Sequence, residues 1–236
     1  MCIAIWKLSV KGGDTLAKIT YKDIKKSEEV NAYLERGNET LGVLGFTDHS
    51  AIHTKKVAET AGRILEKLGY DEHTVELAKI AGYMHDIGNC INRNDHAHSG
   101  ALLSRQILSD MGMDFKDIAL IMNAIGMHDE HTGGAVDPIS AALILADKAD
   151  VRRSRVRNQD KATFDIHDRV NYSVTKSWLE ISEDRTEIKL DLTVDTEYSS
   201  IMDYFEIFLQ RMLMCRRAAS VLGMTFKLSA NGNKIC

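Results

Sequence analysis

Apolar residues recur at helical spacing in five successive segments between Ser50 and Val151, and no other feature constrains the fold as strongly. The first segment stops at Gly69, and glycine commonly follows the last residue of a helix. The last segment follows Pro138 and is apolar on nearly every side, which is expected of a helix at the centre of a bundle. The sequence therefore predicts a mainly α fold, a bundle of about five core helices. The predicted helices cover residues 50–68, 73–84, 99–110, 115–125 and 139–151.

The segment before this bundle has a weaker pattern. One short helical stretch is predicted from Ile24 to Leu34, and a link containing Gly37, Gly42 and Gly45 follows it. The pattern before Ile24 fits neither a helix nor a strand well. We interpret residues 1–46 as an N-terminal extension of the bundle.

The segment after the bundle changes to the two-residue period of β-strands. Thr186–Val194 alternates strictly between apolar and polar residues, and a β-rich run at Val170–Ile181 precedes it, so a hairpin is predicted. A helix over Ser200–Leu222 and a strand after Gly223 complete a small C-terminal α+β (β-β-α-β) module. The predicted domains are therefore residues 1–46, 47–157 and 158–236.

Composition narrows the class of protein. The chain has 236 residues and a formal net charge of -4, which gives no overall attraction to nucleic acid or to an acidic membrane surface. The apolar stretch Met1–Val10 is too short to cross a bilayer and lacks the layout of a secretion signal. Four cysteines occur without a C-x-x-C pair, so neither a zinc ribbon nor a disulfide framework is indicated. We expect a cytoplasmic protein with reduced thiols.

Histidines cluster at the ends of the predicted bundle helices. Asp147 adds a carboxylate on an otherwise apolar helix, where burial of even an uncharged polar group without a partner costs ~2 to 7 kcal/mol. Neutral imidazole and carboxylate are the ligands expected for Fe, Mn, Zn or Ni, so a cation is the natural partner of this set. The histidines at helix ends are His53, His85, His96, His98, His128 and His131.

The order of these residues resembles that of a known family. His53, the pair His85-Asp86 and Asp147 give the pattern H…HD…D, which is similar to that of the HD superfamily of metal-dependent phosphohydrolases over about residues 47–157. Two short motifs are also similar to those of the family, and they are His85-Asp86-Ile87-Gly88 and Leu145-Ala146-Asp147-Lys148-Ala149-Asp150. The resemblance implies the HD-domain helical bundle and a divalent transition metal as cofactor, one or two ions of Fe, Mn, Zn, Co or Ni, with Mg as a further candidate.

The resemblance also implies a ligand set. The first metal would be held by His53, His85, Asp86 and Asp147. Members with two metals carry two more histidines, and His96, four residues before Gly100, and His128 match them. Asp86 would then bridge the two ions. His98 and His131 are left over, and we assign them outer or substrate-facing roles, His131 to the substrate.

One position departs from many relatives. Asn89 follows the His-Asp-Ile-Gly motif where relatives often have a lysine that is available to a substrate phosphate. Lys148 and the arginines Arg152, Arg153 and Arg155 are the predicted replacements, because guanidinium groups suit bidentate phosphate recognition. A solvated helix face or a partner-binding patch explains the arginine run equally well. The same run follows Asp150, which would orient an arginine or simply cap the charges.

The predicted activity is hydrolysis of a phosphoester by metal-activated hydroxide, with Asp86 and Lys148 as catalytic residues. The expected substrate is a nucleotide or another small phosphorylated metabolite, and cyclic-di-GMP is disfavoured because the Gly-Tyr-Pro loop of that branch is missing. Two alternatives stay open: a diiron HD-type oxygenase, and a ligand-sensing HD module. We expect neither a membrane nor a nucleic-acid partner. The apolar stripe of the tail would pack on the bundle or across a homodimer, and it consists of Phe205, Phe208, Leu209 and Met212.

Overall fold

A computed structural model describes residues 19–236 of the chain. The predictions for Met1–Val10 and Cys2 fall outside the described residues. Within residues 19–236 the structure has nine α-helices, several short 3₁₀ turns and one four-stranded sheet, which confirms the predicted mainly α class with a small C-terminal α+β module. The helices are α1 (Tyr21–Lys26), α2 (Glu28–Val43), α3 (Ala51–Leu68), α4 (Glu72–Met84), α5 (His96–Asp110), α6 (Phe115–Gly126), α7 (Pro138–Lys148), α8 (Ile166–Ser173) and α9 (Ile201–Val221).

The five predicted bundle helices correspond to α3 through α7. Helix α3 ends where Gly69 adopts a left-handed conformation with φ 86°, which a residue without a Cβ adopts at little cost. Helix α7 is the central helix, because it packs against α3, α4, α6 and α9 and nearly all of its residues are buried. Its start is fixed by a capping box between Asp137 and Ser140 with Pro138 in the first turn.

Two bundle helices have different ends from those predicted. Helix α5 begins at His96 rather than at Ser99, after Asp95 turns the chain with a positive φ of 63°. The apolar pattern could not show this start, because the first turn of α5 is polar. Helix α7 ends at Lys148 and not at Val151, although Val151 is still buried.

The N-terminal prediction was wrong about the glycine-rich link. Gly37 and Gly42 lie inside α2, and Ser27 caps this helix through a bond from Val30 N. Glycine costs roughly 1 kcal/mol in a helix interior, so tertiary contact must compensate for it. A Cβ at Gly37 would lie 3.0 Å from Cys90 N and 3.1 Å from Asn89 Cβ, so the glycine lets α2 approach the turn that follows α4.

The C-terminal module contains the predicted hairpin. Strands β1 (Val174–Ile181) and β2 (Glu187–Val194) pair antiparallel. Helix α9 then crosses over to β3 (Thr225–Ala230), which pairs parallel to β2, and a short β4 (Asn233–Lys234) closes the sheet in the order β1-β2-β3-β4. The predicted strand start at Val170 was wrong, because Asp165 caps α8, which runs to Ser173.

Helix α9 packs its apolar stripe on the bundle. Phe208 and Met212 are buried and belong to the same hydrophobic core as the residues of α7. Leu209 on the same helix is 48% exposed. Intramolecular packing thus accounts for Phe208 and Met212, and a single core runs through the bundle and the module, while a homodimer stays a prediction. The domain boundaries after residues 46 and 157 stay predictions.

None of the helices between residues 19 and 236 combines the length and the apolar character needed to cross a membrane. Cys90, Cys215 and Cys236 are free thiols, and burial raises the pKa of Cys215 to about 12. This thiol therefore stays protonated at neutral pH and behaves as a small apolar side chain.

The contact between α3 and α4 leaves no space at Gly82. A Cβ there would lie 2.7 Å from Ala58 Cα and 2.9 Å from Ala58 N, which are backbone atoms that cannot rotate away. We expect Gly82→Ala to lower the free energy of unfolding by about 1–3 kcal/mol, as overpacking does. Urea unfolding checks this, with Gly134→Ala as the control because nothing lies within 4 Å of a Cβ at Gly134. Equal stability of the two variants would contradict the tight α3–α4 contact.

Candidate metal centre

Five helix ends deliver the predicted metal ligands to one place. His53 lies in the first turn of α3, whose start is fixed by the Ser50 side chain accepting from Ile52 N at 3.3 Å. His85 and Asp86 follow the last residue of α4. The other three come from the first residue of α5, the segment after α6 and the last turn of α7, and they are His96, His128 and Asp147.

The glycine of the His-Asp-Ile-Gly motif has a steric role. A Cβ at Gly88 would lie 2.0 Å from His96 O and 2.6 Å from Gly100 N, so only glycine lets the turn after α4 touch the start of α5. Gly100 faces it from α5, where a Cβ would meet Gly88 N at 3.2 Å. This close approach brings His96 beside Asp86, since both residues adjoin the contact.

Each of the four imidazoles is held through its Nδ1 atom. His85 Nδ1 lies 2.8 Å from Gly82 O, His96 Nδ1 lies 3.0 Å from Arg93 O, and His128 Nδ1 lies 2.6 Å from Ile125 O. His53 Nδ1 lies 2.8 Å from a carboxylate oxygen of Asp150. All four acceptors require a proton on Nδ1. The Nε2 atoms are therefore acceptors, which is the tautomer needed for metal binding, and that of His96 lies 3.3 Å from Arg93 Nη1.

The first group of ligand atoms surrounds a small space. His53 Nε2 lies 3.7 Å from Asp86 Oδ2 and 3.4 Å from Asp147 Oδ1. His85 Nε2 lies 3.3 Å and 3.7 Å from the same two oxygens. Ligands about 2.0–2.2 Å from a shared ion lie roughly 3–3.5 Å apart, so these distances are close to those around one bound cation.

A second group shares Asp86 with the first. Asp86 Oδ1 lies 3.7 Å from His96 Nε2, and His96 Nε2 lies 3.1 Å from His128 Nε2. The two carboxylate oxygens of Asp86 thus face different groups. All six residues predicted as metal ligands are brought together, and three overlapping sets of them could hold an ion: His53-His85-Asp86, His85-His128-Asp147 and Asp86-His96-His128.

Three ligand atoms are buried without a hydrogen-bond partner. They are His53 Nε2, His85 Nε2 and Asp86 Oδ2. A buried acceptor that forms no bond costs about 1–3 kcal/mol, and three in one place would be costly for a fold without a compensating partner. A divalent cation between them accepts all three lone pairs. The residues present therefore fit a transition-metal ion.

Burial and nearby charges set the protonation of the ligands. Burial lowers the pKa of His96 and holds that of His128 well below its usual range, so both imidazoles stay neutral. Burial alone would raise the pKa of Asp86, but the imidazoles of His85, His49 and His53 hold it well below its usual value. The carboxylate is consequently ionised at neutral pH. Burial alone would lower the pKa of His85, but Asp86 and Asp147 raise it, so a metal that binds His85 Nε2 would displace a proton there.

Two residues that are not themselves metal ligands form hydrogen bonds that orient the ligand side chains. Asp150, only 2% exposed, contacts His53 Nδ1 and also accepts from Lys56 Nζ at 2.7 Å. The sequence left open whether Asp150 orients an arginine or caps the charge run, and the structure shows that it also orients a ligand histidine. Asn89 Nδ2 donates to Asp86 Oδ1 at 2.8 Å, so the residue that departs from many relatives fixes the shared carboxylate.

Lys148 links the ligands to the C-terminal module. Its Nζ donates to Asp147 Oδ2 at 2.8 Å and to Glu130 Oε2 at 2.6 Å. Arg211 of α9 donates from Nε to the other oxygen, Glu130 Oε1, at 2.8 Å. Burial alone would raise the pKa of Glu130, but Lys148 and Arg211 lower it below its usual value, so Glu130 is an anion shared by two cations.

The three arginines that were predicted to bind a substrate phosphate point to different places. Arg155 lines the cavity over the metal ligands, with Nε bound to Asp48 O at 2.8 Å and Nη1 to Asp150 O at 2.7 Å. Arg152 donates to Asp150 and Ser154. Arg153 points to the C-terminal module, where it donates to Tyr172 O and Asp195. Arg152 and Arg153 do not line the cavity, because these partners hold their guanidinium groups elsewhere.

The remaining histidines divide into two groups. His131 lines the cavity, and its contact with a substrate stays a prediction. His49 and His167, for which the sequence indicated no role, also line it, and His49 packs edge-on against His53 at a ring distance of 5.5 Å. His98 pairs with Asp95 at the surface, and His73 pairs with Asp117 away from the centre.

A cavity of about 700 Å³ opens over the metal ligands. Its walls come from the loop after α2, the start of α5, the segment after α6, and helices α8 and α9. The cations at its surface are Arg93, Lys148, Arg155 and Arg211. Sequence reasoning missed Arg93 and Arg211, because one lies in an irregular loop and the other on a helix far along the chain.

Comparison with known families agrees with this geometry. Residues 50–154 match the family model of the HD domain. This range contains every residue predicted to bind metal, and it covers helices α3 to α7. The match, which covers less than half of the chain, supports the assignment of residues 50–154 to the HD superfamily.

Several relatives match parts of the chain. An uncharacterized protein of Methanocaldococcus jannaschii is 27% identical over 207 residues, covering 77% of this chain and 78% of that protein. Ribonuclease Y of Enterococcus faecalis is 34% identical over 112 residues, which are 48% of this chain and 20% of the ribonuclease. A solved structure, a predicted HD superfamily hydrolase from an uncultured Thermotogales bacterium, has 27% identity and a TM-score of 0.42, covering 52% of this chain and 67% of that one. This chain thus spans about a fifth of the ribonuclease.

The contact between His53 and Asp150 generates a test. Asp150→Asn should lower the affinity for Mn²⁺ by about 10–100-fold, since the loss of an outer carboxylate weakens the histidine that it orients. Isothermal titration with Mn²⁺ measures the change. Asp117→Asn is the matched control, because Asp117 forms the same kind of pair with His73 at 2.8 Å outside the centre. Unchanged affinity in Asp150→Asn would show that His53 does not bind the ion through Nε2.

Proposed function

We propose that this chain is a metal-dependent phosphohydrolase that cleaves a phosphoester, with a nucleotide or another small phosphorylated metabolite as substrate. One observation carries the proposal: buried, unpartnered Nε2 and Oδ2 atoms face a common space directly beside the ammonium group of Lys148. Such a centre can hold a cation, and Lys148 adds a fixed positive charge next to it. This combination suits a reaction in which negative charge builds up on phosphoryl oxygens.

The ligand assignment follows the two groups. His53, His85, Asp86 and Asp147 would hold the first ion. Asp86 would bridge to a second ion held through His96 and His128, the pair whose Nε2 atoms lie 3.1 Å apart. A divalent ion in such a site would lower the pKa of a bound water to about 7 and so supply a nucleophile at neutral pH.

The protein's own residues would bind and orient the substrate. Lys148 Nζ lies within hydrogen-bond distance of Asp147, so a phosphate that reaches the metal ligands also reaches this ammonium group. Glu130 holds Lys148 in place through a bond of 2.6 Å and leaves it charged. Arg155 and His131 line the same cavity, whereas Arg152 and Arg153 are not retained as substrate residues because they lie outside it.

The cavity supports a small substrate. Its volume of about 700 Å³ lies within the usual range for sites that take small molecules. The ribonuclease Y relatives are named for an enzyme of RNA, whose backbone consists of phosphodiesters. These names support a phosphoester as the bond that is cleaved. The proposal that the substrate is small depends on the volume of the cavity.

The test combines metal analysis with turnover. Protein purified without chelator should contain a divalent metal and release phosphate or an alcohol from nucleotides or model phosphoesters when supplied with Mn²⁺ or Co²⁺. Asp86→Ala should lose both the metal and the turnover, because Asp86 contributes to both ligand groups. Asp110→Ala, an exposed change at the end of α5, should retain both.

Two results would contradict the proposal. One is retained metal and activity in a correctly folded Asp86→Ala variant, as judged by circular dichroism. The other is an iron-loaded protein that consumes O₂ and cleaves no phosphoester, which would favour the oxygenase alternative.

A further inference from the structure

Arg211 brings the C-terminal module into the cavity. It lies in the middle of α9, outside the segment that matches the HD domain. In the sequence it follows Arg153, one of the arginines predicted to bind phosphate, by 58 residues. Its side chain reaches Glu130, in the segment after α6, and lines the cavity over the metal ligands. The function proposed above gives this residue no role.

The guanidinium group of Arg211 is held in one orientation. Its Nε donates to Glu130 Oε1 at 2.8 Å, and its central carbon lies 4.6 Å from the centre of the Phe208 ring. The bond from Nε is the only side-chain hydrogen bond that Arg211 makes within residues 19–236. The two Nη groups are therefore available in a rigid fork, which is the geometry that binds carboxylate and phosphate oxygens in pairs.

The charges around Arg211 favour an anion. Glu130 is its nearest acid, but the same carboxylate also binds Lys148, so two cations share one anion. Asp147 forms an ion pair with Lys148 and not with Arg211, and its Oδ2 atom lies 2.8 Å from Lys148 Nζ. Asp147 thus balances the second cation at Lys148, and among the described residues no acid other than Glu130 forms an ion pair with Arg211.

A series of contacts runs from Asp147 through Lys148 and Glu130 to Arg211, and Lys148 is nearer to the metal ligands in this series than Arg211 is. Lys148 touches Asp147 directly, whereas Glu130 and Lys148 stand between Arg211 and Asp147. The exposed fraction of the side chain is 6% for Lys148 and 28% for Arg211. A phosphate bound at the metal ligands and Lys148 would leave the Arg211 fork to a different group, nearer the cavity mouth.

We propose, on the basis of the function proposed above, that Arg211 binds an anionic group of the substrate other than the reacting phosphate. The substrate class is then a phosphoester with a second phosphate or a carboxylate. The other arginines at the cavity are more fully engaged, since Arg155 bonds two backbone carbonyls and Arg93 lies against Asn89 and His96. In this account the α+β module is the part of the chain that selects the substrate.

The test uses two probes that cannot be hydrolysed. Methylphosphonate carries one anionic group, and methylenediphosphonate carries two joined by a stable P–C–P bridge. Isothermal titration of each into the Mn²⁺-loaded full chain, at equal free Mn²⁺, measures binding independently of turnover. The variants are Arg211→Gln, which removes the charge and the fork, and Arg211→Lys, which keeps the charge. Arg217→Gln is the control, because Arg217 is an exposed arginine of the same helix outside the cavity.

Arg211→Gln should weaken the binding of methylenediphosphonate about tenfold or more, which is the usual effect of losing a charge-assisted hydrogen bond. The same variant should change the affinity for methylphosphonate less than twofold. Arg211→Lys should recover part of the difference, and Arg217→Gln should bind both probes as the unchanged protein does. An equal loss for both probes would overturn the proposal, because Arg211 would then act through Glu130 on the reacting end. No loss for either probe would also overturn it. If the unchanged protein binds neither probe, the proposed function fails as well.

Discussion

The convergence of four imidazole Nε2 atoms and two carboxylates on one centre is the constraint on which the rest of this structure depends. Every Nδ1 atom of these histidines is paired with an oxygen, so each Nε2 atom is directed to the centre as an acceptor. Acceptors alone cannot satisfy one another. A group that accepts electron pairs would satisfy them, and a divalent cation is the chemical species that fits the mixed nitrogen and oxygen donors.

The fold serves this centre through contacts that the metal ligands do not make themselves. Gly88 and Gly100 bring two helix ends together, and Gly37 lets α2 pack behind Asn89, which fixes the shared carboxylate. Asp150 performs the same task for His53. The N-terminal helix α2, taken from the sequence as an extension, is thus part of the support of the centre. The C-terminal module reaches it from the other side through Arg211 and Glu130.

The sequence predicted the bundle well because its helices carry long apolar stripes with glycine at their ends. It predicted the six ligand residues through the order of their types along the chain, which resembles a known family. It could not predict Asp150 as the partner of His53, because the two are 97 positions apart and only packing brings them together. The helical path through Gly37 and Gly42 was missed for a related reason, since the close contact that favours glycine there is visible only in three dimensions.

The arginine run shows the limit of reasoning from proximity in sequence. Arg152, Arg153 and Arg155 are near neighbours in the chain, yet their guanidinium groups point to Asp150, to the C-terminal module and to the cavity wall respectively. The chain leaves the helical path after α7, so successive side chains no longer share a face. Arg211, remote in sequence, reaches the place that the run was expected to fill.

An anomalous-difference map from crystals of protein purified without chelator tests the central claim most directly. The account predicts a peak within about 2.0–2.2 Å of the Nε2 atoms of His53 and His85, with Asp86 and Asp147 completing its surroundings. A map in which these side chains point apart, or in which a crystal soaked in Mn²⁺ shows no peak between them, would contradict it.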